Sequence, residues 1–177
     1  VAKNSRKPPY AIEQSLRFNN GDSAHLHRTP SSAGSQTTFT LSVWVKSSVP
    51  SSGSEYFYAT HNGSRWNGIL RRSGNYDFGV DESGGSAPKV VTNTKLRDPS
   101  AWYHIVLVND RDNSVGTEAV RLYVNGQRVT SFAVNNISGR SGQDSMVNAS
   151  SFYWQIQRFT SSTVHGDAYM AEIVFID

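Results

Sequence analysis

The chain has 177 residues and a mass of 19.5 kDa, the size of one ordinary domain, and it contains no Cys, which excludes disulfide scaffolds, thiol catalysis and Cys-ligated zinc. No apolar run approaches the roughly 20 residues of a membrane helix, and the polar opening VAKNSRKPPY has no signal-peptide core. The formal charge of +3 belongs to Lys3, Arg6 and Lys7; the rest of the chain balances to zero, so a basic nucleic-acid-binding face is not expected.

Composition points to β-structure. Val, Ile, Thr and the aromatics number 55 against 37 for Ala, Leu, Met, Glu, Lys and Gln, and no amphipathic helix of useful length is present. Gly, Ser and Asn contribute 53 residues of turn chemistry.

Residues 1–11 read as an extended basic arm, since Pro8-Pro9 blocks helix, and residues 12–177 as one sandwich domain. The first residue is Val rather than Met, which suggests a processed product or a piece of a longer chain. SLRFNN (15–20) alternates Leu16 and Phe18 against Arg17 and Asn19; the turn Asn20-Gly21-Asp22 leads to a second short strand, AHLHR. TTFTLSVWVK (37–46) is the clearest strand, with Phe39, Leu41, Val43 and Val45 on one face and Trp44 on the other. EYFYATHN, WNGILRR, YDFGVDE and KVVTNTKLR follow as four short strands between Gly- and Ser-rich turns. WYHIVLVND (102–110) is apolar on both faces, which predicts a central strand buried on two sides. AVRLYVNGQRVTSF (119–132) predicts a hairpin with a type I′ turn at Asn125-Gly126. Residues 133–150 read as a long loop, and SFYWQIQRF (151–159) and DAYMAEIVFID (167–177) as two closing strands. About a dozen strands of this kind predict an all-β, antiparallel two-sheet β-sandwich.

Segments SLRFNNGDSAHLHRTPSSAG, FTLSVWVK, RDPSAWYHIVLVND, VRLYVNG and DAYMAEIVFID together resemble the laminin-G-like branch of the concanavalin A-like lectin/glucanase superfamily, across Ser15 to Asp177. The opening block is more narrowly similar to the version found in bacteriophage tail and fibre proteins. The resemblance implies a jelly-roll fold, placement on a virion surface, and binding of sugars or proteins or a purely structural role. It implies other virion proteins as partners, reached through the arm, in many copies, with host-surface glycans as further partners. A lectin-like domain of a secreted bacterial protein is the alternative, and a glucanase-like hydrolase the third reading. Membrane insertion is not expected.

Retaining glycan hydrolysis needs paired carboxylates roughly 5–5.5 Å apart. The nearest approaches are Asp77 with Asp81 and the loop pair Asp110 with Asp112, and neither has a Glu acid at a suitable spacing. No G-x-S-x-G elbow is present. His25 and His27 project to one face of a strand and offer two zinc ligands at most; a polar outer face is the plainer reading. Asp110, Asp112 and Asn113 form an oxygen-bearing loop, and calcium is the one cofactor the sequence leaves open. Neutral sugars are held by an exposed aromatic plane with planar hydrogen-bonding groups beside it. Trp66, between turn residues in NGSRWNG, with Tyr76 and Asp81 nearby, is the candidate carbohydrate site. The competing reading packs these aromatics under loops or against a neighbouring subunit. Trp102 and Trp154 lie in apolar-rich strands and read as core. The N-x-S sequons at Asn62, Asn136 and Asn148 carry no information in a chain this rich in Asn and Ser.

Overall fold

The computed structural model describes residues 13–48, 54–64, 66–71, 77–82, 90–138, 144–159 and 164–177, without the side chains of Trp66 and Asp81. The arm 1–11 lies outside these residues. In chain order the strands are β1 (Leu16–Phe18), β2 (Leu26–Arg28), β3 (Thr38–Ser47), β4 (Glu55–His61), β5 (Trp66–Arg71), β6 (Asp77–Glu82), β7 (Val90–Lys95) and β8 (Tyr103–Asp110). They continue with β9 (Val120–Val124), β10 (Gln127–Arg128), β11 (Phe132–Asn135), β12 (Tyr153–Ile156), β13 (Arg158–Phe159), β14 (Val164–His165) and β15 (Ala168–Ile176). The described residues contain no α-helix; two short 3-10 turns occur at Asn20–Asp22 and Gly116–Glu118.

Two antiparallel sheets carry the fold, as the alternating strands predict. One has six strands in the order β1-β15-β3-β8-β9-β10, and the other has seven in the order β11-β7-β6-β5-β4-β12-β2. The 3-10 turn at Asn20–Asp22 takes the chain from the edge of the first sheet, β1, to the edge of the second, β2. Asn19 caps that turn by accepting from Gly21 N–H at 3.1 Å. The core is set by period-two alternation: Phe39, Leu41, Val43 and Val45 of β3 are each at most 5% exposed and pack with Phe57, Ile69, Phe78, Ile105 and Leu122. Asn125 and Gly126 take φ values of 50° and 77°, the two positive angles of a type I′ turn. Asn125 also ties the turn to β8, since its Oδ1 accepts from the His104 N–H at 2.8 Å.

β4 is buried along its whole length. An irregularity in its pairing with β5 falls between Tyr56 and Tyr58. Beyond it, Phe57 and Tyr58 join the main core, while Tyr56 and Ala59 form a second cluster with Leu70. That cluster is roofed by a two-stranded ribbon, β13 with β14, whose Phe159 ring stacks on Tyr56 at 4.2 Å between centroids.

Two buried ion pairs accompany the apolar core. Glu55 Oε2 accepts from Arg71 Nη2 at 2.8 Å and Nε at 3.1 Å, and from the Ser47 hydroxyl of β3. Arg111 pairs with Glu82 of β6 and donates from Nε to Asn109 Oδ1 at 2.9 Å.

Several expectations require correction. Phe132–Asn135 is a strand, β11, paired with β7 at the sheet edge, where the Ser- and Asn-rich composition reads as loop. Residues 151–159 are not one strand: Gln157, fully buried with φ 60°, divides β12 from β13. A Cβ at Gly166 would meet Gln157 Oε1 at 1.4 Å, so the buried Gln157 amide occupies the space that glycine leaves open. β8 is buried on one face only, with Ile105 and Leu107 inward and His104, Val106 and Val108 half-buried outside. On that outer face Trp44 of β3 stacks on His104 at 4.8 Å, while Val106 lies between Ser42 and Tyr123 and Val108 between Thr40 and Arg121. Trp102 and Trp154 are half-buried rather than core. Val164–His165 adds a strand that nothing in the sequence marks.

Replacing Asn125-Gly126 by Val-Val is expected to destabilise the domain by about 2–4 kcal/mol, because β-branched residues resist positive φ; urea unfolding followed by tryptophan fluorescence measures this. Burial pushes the Glu55 carboxyl above its ordinary value of 4.5, against the opposing pull of Arg71. Its ionised form therefore depends on that guanidinium. Arg71→Leu is expected to cost about 3–5 kcal/mol at pH 7. The loss shrinks as pH falls below the unfolded value, where Glu55 is protonated in both states; denaturation midpoints at pH 7 and pH 4 measure the difference.

Candidate functional site

The backbone pairing of the seven-stranded sheet builds two cross-strand rows. One runs Tyr153–His61–Trp66 across β12, β4 and β5. The other runs His27–Gln155–Ala59–Gly68–Asp81 across β2, β12, β4, β5 and β6. Directly opposed residues of an antiparallel pair lie on the same face. Two of the three residues singled out from the sequence, Trp66 and Asp81, thus share backbone rows with Tyr153 and Gln155. Tyr76 lies outside the described residues.

Tyr153 is 48% exposed, and its ring sits 5.3 Å from that of His61, tilted by 47°. His61 and Gln155 beside it are buried. At the sheet edge His25 stacks on His27 with centroids 5.6 Å apart, confirming that the two imidazoles share a face. His165 of the ribbon lies 5.5 Å from His25. Arg158 Nη1 donates to His25 Nε2 at 3.0 Å, while His25 Nδ1 donates to the Ser23 carbonyl at 2.9 Å. This pair of bonds is satisfied by a neutral His25 with its proton on Nδ1. Burial lowers the pKa of His61, and the charge of Arg158 lowers it further. His165 is lowered by burial, then by Arg158 and His25. The result is an exposed aromatic ring set against one imidazole, with an amide two residues along its strand, and at the sheet edge a guanidinium grouped with three further imidazoles. Sequence reasoning missed Tyr153, His61 and Arg158 because their proximity depends on pairing between distant strands; His25 and His27 were the visible part of the group.

The other candidates are placed as follows. Asp110 Oδ2 accepts from Asn113 Nδ2 at 2.9 Å and Arg121 Nη2 at 3.2 Å, and Asp112 Oδ2 accepts from Thr37 Oγ1 at 2.7 Å. Arg111 between them turns inward, 1% exposed, and burial pulls its guanidinium down to about 10. One oxygen of each of these two carboxylates is thus engaged by the protein's own donors. Among the described residues no group of three or more His, Asp or Glu is placed to hold a metal ion. Asp77 is buried and paired with Lys95 Nζ at 3.1 Å. Trp154, expected in the core, lines an apolar cleft of about 200 Å³ between the sheets, with Leu26, Leu41, Tyr58 and Phe175.

Two facing antiparallel sheets, with an aromatic and polar outer face on the larger one, define a lectin-type jelly-roll sandwich. The chain belongs to the concanavalin A-like lectin/glucanases superfamily, which it matches over residues 18–164. Among solved structures it is similar to domains LG4-5 of the mouse laminin alpha1 chain, at 13% identity and a TM-score of 0.63 over 94% of this chain and 43% of that one. It is similar to the Trypanosoma rangeli sialidase in complex with 2,3-difluorosialic acid, at 18% identity and a TM-score of 0.53, over 80% of this chain and 21% of the sialidase. It is also similar to the CBM40 of the Ruminococcus gnavus IT-sialidase bound to alpha2,3 sialyllactose, at 11% identity and a TM-score of 0.51, over 86% of this chain and 94% of that one. At these identities the likeness is one of fold. No curated protein matches the sequence.

Burial also lowers the pKa of His104. For His61, His104 and His165 the folded value lies below the unfolded one, so the unfolded chain takes up protons first as pH falls. Stability from these groups is complete above the ordinary value of 6.5 and declines below it. The melting temperature is expected to fall between pH 7.5 and pH 5.5, and to fall less in His165→Gln; differential scanning calorimetry checks both.

Proposed function

We propose that this domain is a non-catalytic carbohydrate-binding module that uses the outer face of the seven-stranded sheet around Tyr153, with Trp66 and Asp81 as neighbours in the same rows. The observation that carries the reading is the exposed Tyr153 ring set against His61 and beside Gln155. A pyranose packs its C–H face on such a ring and gives its hydroxyls to planar amide and imidazole groups. The superfamily membership and the likeness in fold to a carbohydrate-binding module support it. The engagement of Asp77, Asp110 and Asp112 by Lys95, Arg121 and Thr37 supports a binding role over hydrolysis, which needs carboxylates free to face a scissile bond.

The sequence resemblance of the opening block SLRFNNGDSAHLHRTP supports a setting on the surface of a bacteriophage particle. There the domain, 12–177, attaches to other virion proteins through the basic arm 1–11 and meets host-surface glycans in many copies. One aromatic ring and a few hydrogen bonds give weak binding per site, and multiple copies make it useful. Mass spectrometry of purified virions tests the setting.

Tyr153→Ala is expected to reduce affinity for any glycan bound on an array by about tenfold or more while leaving the melting temperature nearly unchanged, because the ring is half exposed. Undiminished binding by this variant rejects the site.

A further inference from the structure

Among the described residues Arg158 has no counter-ion. It pairs across the ribbon with His165, and its guanidinium makes one hydrogen bond among the described residues, to His25 Nε2. Its Nε is buried and has no partner, and neither does the buried Nδ1 of His165. Around it lie His25, just before β2, His165 opposite it on β14, and His61 of β4, whose protonation it depresses; His27 stacks on His25. Glu55 of β4, which lies against Gly166, is taken up by Arg71 and Ser47, and none of the described carboxylates forms an ion pair with Arg158. The positive field is felt: Arg158 depresses the protonation of both His61 and His165. A half-buried guanidinium ringed by imidazoles is electrostatically unfavourable by itself and becomes favourable when an anion enters.

We propose that Arg158, with His25 and His165, binds the acidic substituent of a sugar, a carboxylate or a sulfate ester, whose ring rests on Tyr153. This deepens the carbohydrate-binding reading and rests on it. The guanidinium fork matches a carboxylate or sulfate with two parallel N–H donors. His61 links the two groups: its ring lies 5.3 Å from that of Tyr153 and it feels the charge of Arg158, so the aromatic platform and the cationic group lie within reach of one short oligosaccharide. An anion offsets the burial and repulsion that lower the pKa of His165 and His61. Binding therefore takes up protons, and affinity rises as pH falls.

The test is calorimetric titration of the full chain with lactose, 3′-sialyllactose and lactose 3′-sulfate at pH 6.0 and pH 8.0 in low salt. The two acidic sugars are expected to bind on the order of tenfold more tightly than lactose at pH 6.0, as a charge-assisted bidentate contact implies, with a smaller margin at pH 8.0 and in high salt. Arg158→Gln should bring them down to the affinity of lactose, whereas Tyr153→Ala should weaken all three. Equal binding of lactose and its acidic forms by the unmodified protein, or a preference that survives Arg158→Gln, overturns the proposal while leaving the carbohydrate reading standing. If circular dichroism shows Arg158→Gln unfolded, Arg158→Lys replaces it: it keeps the charge but not the fork, and full retention of the preference again overturns the proposal. If none of the three sugars binds, the carbohydrate reading is the one in question. Sulfate titrated against the imidazole NMR signals then decides the anion site. Shifts at His25 and His165 that vanish in Arg158→Gln uphold it, and unmoved signals reject it.

Discussion

The Glu55–Arg71 pair fixes where the two sheets meet. Glu55, at the head of β4, is held by Arg71 of its neighbour β5, by Ser47 at the end of β3 in the opposite sheet, and by the Asp167 N–H at the entry to β15. A buried carboxylate tolerates little displacement, because each lost donor exposes the full cost of its desolvation. Arg111 and Glu82 repeat the device elsewhere, tying the residue after β8 in one sheet to the end of β6 in the other. Apolar side chains can slide against one another with modest loss; these polar joints cannot. They hold β4, β5 and β6 in one register relative to the six-stranded sheet, and every residue of the proposed site stands on rows whose alignment follows from that register.

The outer face of the seven-stranded sheet is divided by the ribbon of β13 and β14. Phe159 seals its middle over Tyr56, Ala59 and Leu70, making that stretch a small second core. The same ribbon brings Arg158 and His165 to the histidines of β2. The ribbon exists because the chain reverses at Gln157 in a left-handed conformation, with Gln157 Nε2 donating to Met170 Sδ at 3.0 Å and its carbonyl accepting from Gly166 N–H at 2.8 Å. A local kink thus does two jobs, completing a hydrophobic cover and delivering a cation to a polar surface. On the proposed reading the same kink links stability to binding: the burial that lowers the pKa of His61 and His165 in the free fold is what a bound anion would offset.

Much of the sandwich was legible in the sequence because it rests on local rules. The alternation of Phe39, Leu41, Val43 and Val45 needs only the two-residue period of a strand. The turn at Asn125-Gly126 needs only the tolerance of Asn and Gly for positive φ. Reading failed where an environment replaced a propensity. Phe132–Asn135 is a strand because β7 offers it an edge, although its surroundings have loop composition. Val106 and Val108 are apolar and yet not core, because strand residues follow the face they are on, and theirs is the outer face of the sheet. Trp154 sits at the open rim of the sandwich, where its strand's apolar character says nothing about depth.

The sequence by itself determined the class of fold, the hairpin, the aromatic-rich character of β4 and β5, and the common face of His25 and His27, since all of these follow from periodicity or from the residue's own backbone preferences. Only the tertiary structure decided which distant groups meet. Tyr153 lies beside His61 across 92 positions of chain, and Arg158 reaches His25 across 133. Strand order in an antiparallel sandwich comes from how two sheets bury their faces against each other, and no local preference encodes it. The proposed site is a product of that order: its residues are ordinary along the chain and come together only when the sheet sets them in rows.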